Sequence, residues 1–279
     1  MSLSKSFAVA STSLNLLNLP QPSQPPSTFS TSLNLLNSST MATVRLSVNI
    51  NKIALIRNSR GSNQPDLTQI ARDCEAFGAQ GITVHPRPDE RHVRFDDLPL
   101  LKDVVSTEFN IEGNPDARFM REVTQVQPHQ ATLVPDGPQA LTSDQGWDTL
   151  KYHDFLVDVV AELQAAGIRV SIFVDADERL VEGAKAVGAD RIEFYTGHYA
   201  KDFLKNPAEA VKKHVQCSQL AVNLGLGINA GHDLNLQNLN LYKNEVIGLQ
   251  EVSIGHALVC DALYFGLQNT IQMYLRQLV

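Results

Sequence analysis

The stretch Phe77-Gly-Ala-Gln-Gly-Ile-Thr-Val-His-Pro-Arg-Pro-Asp-Glu-Arg-His92 decides the fold. Gly78 sits where a helix would end and supplies a left-handed cap. From Gly81 the residues alternate as a strand should, with Ile82 and Val84 on one face and Thr83 and His85 on the other. Pro86 stops that strand, because proline has no N–H to give to the ladder. A charged loop follows, carrying Arg87, Arg91 and His92. An inward histidine at a strand end, followed by two arginines and a second histidine, builds a poor core and a good site for an anion. The plainer reading is a solvated loop after an ordinary strand.

The same punctuation recurs at Ala166-Gly167-Ile168 and Val187-Gly188-Ala189. Strand-like runs are expected at 44–50, 81–85, 107–112, 130–134, 169–175, 191–196, 226–230 and 251–255. Helical runs are expected at 66–77, 96–105, 115–125, 153–166, 177–187, 207–220 and 256–278. Strand, helix, glycine, strand, repeated in this way, argues for right-handed βαβ units and a parallel sheet. Eight strands in about 240 residues fit an α/β fold of the (β/α)8 TIM-barrel class, over residues 41–279. A doubly wound open sheet is the alternative, but no Gly-x-Gly-x-x-Gly turn follows the first strand.

The strand faces favour the barrel. Val44, Leu46, Val48 and Ile50 share one face of the first strand, and Arg45, Ser47, Asn49 and Asn51 the other. Phe109 and Ile111 oppose Asn110 and Glu112; Ile192 and Phe194 oppose Glu193 and Tyr195. Strands of an open sheet, buried on both faces, would be nearly all apolar. A barrel can turn its apolar face to the outer helices and give its interior to a site. Glu112 and Glu193 then need cations, hydrogen bonds or raised pKa values to offset burial.

The net charge of -7 argues against a general nucleic-acid partner. Three cysteines without motif spacing suggest neither disulfides nor a zinc site, so a reducing, cytoplasmic setting is expected. No apolar run approaches the roughly 20 residues that span a bilayer. Residues 1–40 have one charged residue, Lys5, and repeat Ser-Thr-Ser-Leu-Asn-Leu-Leu-Asn at 11–18 and 30–37. They read as a disordered low-complexity extension, with Met41 as the expected start. A Ser-rich, acid-free transit peptide, and so an organelle, is the alternative, although the segment lacks arginine.

Polar residues gather at the C-terminal strand ends, where barrel enzymes keep their sites. They are Asn49, Asn51, Lys52 and, further on, Arg57 and Arg60; His85, Arg87 and His92; Glu112; Glu193; Asn229 and His232; and Gly255 with His256. Two chemistries could use them. In the first, His85, His232, His256 and a carboxylate bind a metal, but no His-x-His follows a strand and the surrounding cations would repel the ion. The second is metal-free acid/base work on a phosphorylated substrate. His85 and His232 are of the residue type that titrates near neutrality, and Glu112 on a dry face would have a raised pKa. Gly231 and Gly255 would let backbone N–H groups approach a phosphate. The second chemistry is favoured.

These residues resemble the pyridoxine 5'-phosphate synthase family. The likeness is carried by Asn49-Ile50 through Ile53-Ala54, Arg57-Asn-Ser-Arg-Gly61, Gly81-Ile-Thr-Val-His85-x-Arg87 and Asn110-Ile-Glu112. It continues in Leu133-Val-Pro135, Asp175-Ala-Asp177, Ile192-Glu193 with Thr196-Gly197, Asn229-Ala-Gly-His232 and Ile254-Gly-His256. It runs from about Thr43 to the C-terminus.

The resemblance implies a (β/α)8 barrel with additional helices, assembled as a homo-octamer. It implies a cofactor-free, metal-independent condensation of 3-amino-2-oxopropyl phosphate with 1-deoxy-D-xylulose 5-phosphate. By position, Glu112 and His85 would be general bases, His232 the general acid, and Glu193 a stabiliser of charged intermediates. Asn49, Arg60, Gly255 and His256 would hold the aminoketone phosphate, and Arg87, His92 and Thr142 the deoxyxylulose phosphate. Residues 135–147 would be a closing loop. The chain departs from the commoner pattern at Asn51-Lys52, where many members have Asp-His. It also departs at Asp233, where many have glycine, and at Asp261, near which an arginine is often seen. Asn51 and Lys52 would touch the deoxyxylulose phosphate, and Asp233 would add an anion beside the phosphate site. A catalytically silent homologue that binds a B6 phosphate is the alternative function.

Overall fold

Alternation and capping between them dictate a closed cylinder. In the computed structural model, which describes residues 43–137 and 142–279, eight parallel strands pair in chain order and the first pairs with the last. They are β1 (Arg45–Asn49), β2 (Gly81–Val84), β3 (Glu108–Gly113), β4 (Gln130–Leu133), β5 (Arg169–Val174), β6 (Arg191–Tyr195), β7 (Gly227–Gly231) and β8 (Leu249–Ile254). The fold is a (β/α)8 TIM barrel. The extension at 1–40 lies outside the described residues.

Eleven helices are described: α1 (Asn51–Asn58), α2 (Leu67–Ala76), α3 (Asp97–Val104), α4 (Ala117–Val126), α5 (His153–Ala165), α6 (Glu178–Ala186), α7 (Gly197–Phe203), α8 (Pro207–Asn223), α9 (Leu239–Glu245), α10 (His256–Phe265) and α11 (Leu267–Gln277). Side-chain caps start several of them. Asp116 accepts from the amides of Arg118 and Phe119 at 2.9 and 2.8 Å, and Asp66 and Asn206 cap α2 and α8 in the same way. Such caps are each worth about 1 kcal/mol.

Three helices were not expected from periodicity: α1, α7 and α9. The single helix expected at 256–278 is two, because Gly266 takes φ +76° and turns the chain between α10 and α11. The last strand begins at Leu249 rather than at 251, after a register shift against β7 at Ile228/Asn229. Among the described residues, no helix is long and apolar enough to cross a membrane.

The outward strand face is the core. Leu46, Val48, Ile82, Val84, Phe109, Ile111, Ile172, Phe194, Val252 and Ile254 are all fully buried under the helices. Each such side chain contributes about 1.5–3 kcal/mol. The inward face is polar almost throughout, as the alternation required. Ser47 bonds Thr83 at 2.7 Å, and Thr132 bonds Asn110 at 3.0 Å. Below them lies a charged floor: Glu108 meets Arg45 at 3.0 Å and Arg191 at 3.6 Å, and also pairs with Arg169.

Candidate active site

At the opposite end of the cylinder from this floor, the strand ends and their loops enclose a cavity of about 830 Å³. Of the fourteen residues to which the family resemblance gives a catalytic or substrate-contact role, thirteen line it: Asn49, Asn51, Lys52, His85, Arg87, His92, Glu112, Thr142, Glu193, His232, Asp233, Gly255 and His256. Arg60 does not; it is exposed just beyond the end of α1. Arg57 is structural, pairing its guanidinium with both oxygens of Asp97 at 2.7 and 2.9 Å.

The unexpected helix α1 does much of the positioning. Asn51 opens it and accepts the amide of His85 at 2.9 Å, so it holds the end of β2. Asn58, its last residue, donates to the carbonyls of Glu90, Arg91 and His92 at 3.2, 3.0 and 2.7 Å and so fixes the basic loop. Lys52 lies in the first turn of this helix, not in a loop, and its charge helps to lower the pKa of His92.

The two carboxylates inside the mouth have weak company. Glu112 receives Asn49 at 3.4 Å and Ser253 at 3.5 Å, and lies 3.9 Å from His85 Nδ1. Burial, with the Asp136 charge second, raises its pKa to about 8. Glu193 is 3% exposed and receives Thr132 at 3.5 Å. Burial and the neighbouring Glu112 push it well above the usual carboxylate range. Gly231 makes room for it, since a Cβ there would stand 2.1 Å from Glu193 Oε1.

His85 departs from the neutral titration expected of its type. Burial, then the cations Arg87, His92 and Arg91, lower its pKa to about 3. It stands as a neutral imidazole beside a protonated Glu112. His92, also buried, falls to about 4. Its Nδ1 has no hydrogen-bond partner among the described residues.

His232 is held from both sides. Its Nδ1 lies 3.0 Å from Asp233 Oδ2, and its Nε2 lies 2.9 Å from Thr142 Oγ1. The hydrogen bond from His232 keeps Asp233 below the usual carboxylate range, so Asp233 acts on the histidine as well as adding negative charge. The histidine takes φ +86°, a conformation that costs a non-glycine residue about 1–3 kcal/mol. Asn238 sustains it by donating to the Asp233 carbonyl at 3.1 Å, while the Asn238 carbonyl accepts from Tyr199 at 2.7 Å.

Of the segment 135–147, residues 138–141 lie outside the described ones, and Thr142 and Ser143 line the cavity. Asp136 receives Arg87 at 3.0 Å and Ser143 at 2.6 Å. Its far root is pinned where Gly146 donates to Asp175 at 3.0 Å. The loop residues Asp136 and Ser143 were not singled out in the sequence. Nor were Val134 and Phe173, which with Tyr195 form an apolar wall inside the mouth. Their inward phase at the ends of β4, β5 and β6 was the available signal. Among the described residues, no cluster of three or more His, Cys, Asp or Glu is placed to hold a metal ion.

Comparison with known proteins adds a chemical context. A family model described as pyridoxal phosphate biosynthesis protein PdxJ matches residues 46–279. A protein of Cytophaga hutchinsonii named pyridoxine 5'-phosphate synthase is 58% identical over 84% of this chain and 98% of its own length. One of the same name from Porphyromonas gingivalis is 56% identical over 84% and 98%. Among solved structures, 3-keto-L-gulonate-6-phosphate decarboxylase from Vibrio cholerae superposes with a TM-score of 0.58 at 10% identity, over 85% of this chain and 97% of that one. That last likeness concerns the barrel alone.

Proposed function

Since the chain belongs to the PdxJ family of pyridoxal phosphate biosynthesis proteins, and so to the enzymes of vitamin B6 biosynthesis, we propose that it is a pyridoxine 5'-phosphate synthase. It condenses 3-amino-2-oxopropyl phosphate with 1-deoxy-D-xylulose 5-phosphate to pyridoxine 5'-phosphate, phosphate and water, with no metal or cofactor. The observation that carries this reading is the pairing of a neutral His85 with a protonated Glu112, 3.9 Å apart, in a mouth rimmed by cations.

The chemistry needs this set. Joining amine to ketone moves a proton off nitrogen and onto oxygen. Loss of water and phosphate needs an acid at the leaving oxygen, and aromatisation needs C–H protons removed. Neutral His85 can take the amine proton. Glu112 can donate first and, once ionised, act as the base at carbon. His232, oriented by Asp233 and Thr142, serves the departing oxygens. Glu193, which stays protonated beside Glu112, can stabilise charged intermediates by hydrogen bonding. Asn49, Gly255 and His256 hold one phosphate, and Lys52, Arg87, His92 and Thr142 the other. The loop 135–147 closes on the occupied site and keeps water from imine intermediates.

We further infer a cytoplasmic homo-octamer whose residues 41–279 carry the whole activity. Exposed Leu55 and Ile56 on α1 and Leu263, Tyr264 and Phe265 on α10 support self-association. The test is to mix both substrates with purified protein in EDTA and measure pyridoxine 5'-phosphate. Product at undiminished rate, also from a chain starting at Met41, is expected. No product, or product only with added metal, overturns the reading.

A further inference from the structure

Among the described residues, the strand ends that line the mouth are polar except at one place. Val134, Phe173 and Tyr195 are 2, 3 and 9% exposed and form an apolar cluster separate from the main core. They lie at the C-terminal ends of neighbouring strands and line the same cavity as the candidate catalytic groups. Phe173 and Tyr195 pack with ring centroids 5.6 Å apart. The Tyr195 hydroxyl is turned to Gly197, where a Cβ would stand 2.1 Å from it. Its ring thus borders the cavity, edge to the imidazole of His232 at 5.2 Å. Acid/base chemistry and phosphate binding have no use for such a wall, so it must meet an apolar part of a substrate.

The topology says which part. Lys52, Arg87 and Arg91 gather around the ends of β1 and β2, and they draw a phosphate there. In a closed barrel of eight strands paired in order, β6 lies diametrically across from β2, with β5 and β4 beside it. A ketose phosphate anchored by its phosphate on the basic side therefore extends its far carbon toward the wall. On the substrate reading given above, on which this inference rests, that far carbon is a methyl group attached to the reacting ketone.

We infer that Val134, Phe173 and Tyr195 select a methyl ketone and reject the ketose phosphate that carries a hydroxymethyl group in its place. An added hydroxyl would be buried against carbon with no partner. An apolar pocket discriminates against such an isostere by roughly 10²-fold, since it can exclude the hydroxyl only by leaving it unpaired.

The experiment compares kcat/KM for 1-deoxy-D-xylulose 5-phosphate and for D-xylulose 5-phosphate, which differ only in that hydroxyl. Phosphate release is followed at saturating 3-amino-2-oxopropyl phosphate. The unmodified protein is expected to prefer the deoxy sugar by roughly 10²-fold. Val134→Thr, which keeps the shape and supplies a hydroxyl, is expected to narrow the ratio to roughly tenfold or less. A wild-type ratio near one overturns the inference without any variant. A Val134→Thr enzyme that keeps the full ratio overturns it too, leaving the wall as a water shield. A protein that uses neither sugar fails at the earlier step, the substrate reading itself.

Discussion

The floor and the mouth of the barrel both bury glutamate, in opposite company. Glu108, with a 7% exposed side chain, stands among the guanidinium groups of Arg45, Arg169 and Arg191. Glu112 is four residues further along the same strand and on the same face, and among the described residues it meets amide, hydroxyl and imidazole groups. Three guanidinium groups surround the first; among the described residues the second has no cation beside it and only long hydrogen bonds from Asn49 and Ser253 to set against its burial, so its pKa climbs to about 8. One strand thus carries a carboxylate that holds the cylinder together and a carboxyl group poised to exchange a proton. The difference teaches that burial alone does not make a catalytic acid. Burial without a counter-charge does, because it brings the pKa near the working pH.

The largest expected effect breaks the mouth. Glu112→Gln keeps shape but cannot exchange a proton, so kcat should fall by roughly 10²–10⁴-fold, as steady-state assay will show, while the far-UV spectrum is unchanged. A near-normal kcat would put Glu112 on the same footing as its neighbour below. The floor should answer differently. Glu108→Gln takes the shared carboxylate from the buried Arg191 and the partly exposed Arg45 and Arg169, with Glu251 left to face them, and should cost about 1–3 kcal/mol of stability, read by urea unfolding, while the folded enzyme retains its turnover.

A smaller effect concerns the rim, where Lys52 lines the cavity. Lys52→Ala should raise KM for the deoxyxylulose phosphate about tenfold and leave KM for the aminoketone within about twofold, a loss of about 1.4 kcal/mol. Equal changes in both would remove the distinction between the two phosphate sites.

The last effect is thermodynamic and reads the raised pKa directly. The fold lifts Glu112 from an ordinary 4.5 to about 8, so the native state holds a proton that the unfolded chain releases between those values. The protonated carboxyl's contribution is therefore complete below about pH 4.5 and is lost as pH rises through about 8. Glu112→Gln, which has no proton to lose, should gain on the wild type in melting temperature at pH 8.5 relative to pH 5. A difference that stays constant with pH would mean that Glu112 is as well compensated as the floor.

Much of this is legible in the sequence itself. The alternation Arg45-Leu46-Ser47-Val48-Asn49 disclosed a polar interior, and the glycine repeated at helix ends, Gly78, Gly167 and Gly188, disclosed the parallel order. The catalytic candidates could be found because a charged residue in inward phase contradicts a core. Helix α1 could not, because it starts directly after a strand and its Asn, Lys and Arg residues blur the apolar stripe. Its part in holding His85 and the basic loop rests on hydrogen bonds between residues more than thirty positions apart. The neutral state of His85 was hidden for a similar reason. A histidine's charge depends on the depth of its site and the cations around it, and residue type fixes neither. The apolar wall was missed because Val, Phe and Tyr look like core wherever they occur.

The closure of the cylinder by β1 against β8 has a consequence for how the chain is made. Arg45–Val48 must find Glu251–Ile254, and Gln272 of α11 must reach back to the Phe77 carbonyl at 2.6 Å. At a ribosomal pace of roughly 5–20 residues per second, the first strand waits on the order of ten to forty seconds for its last neighbour to be synthesised. During that interval one edge of β1 is open to any strand it meets. The active-site groups of β1, β7 and β8 come together only when the seam shuts, so a ribosome that stalls near the end releases a nascent chain with most of its sheet and no complete cavity.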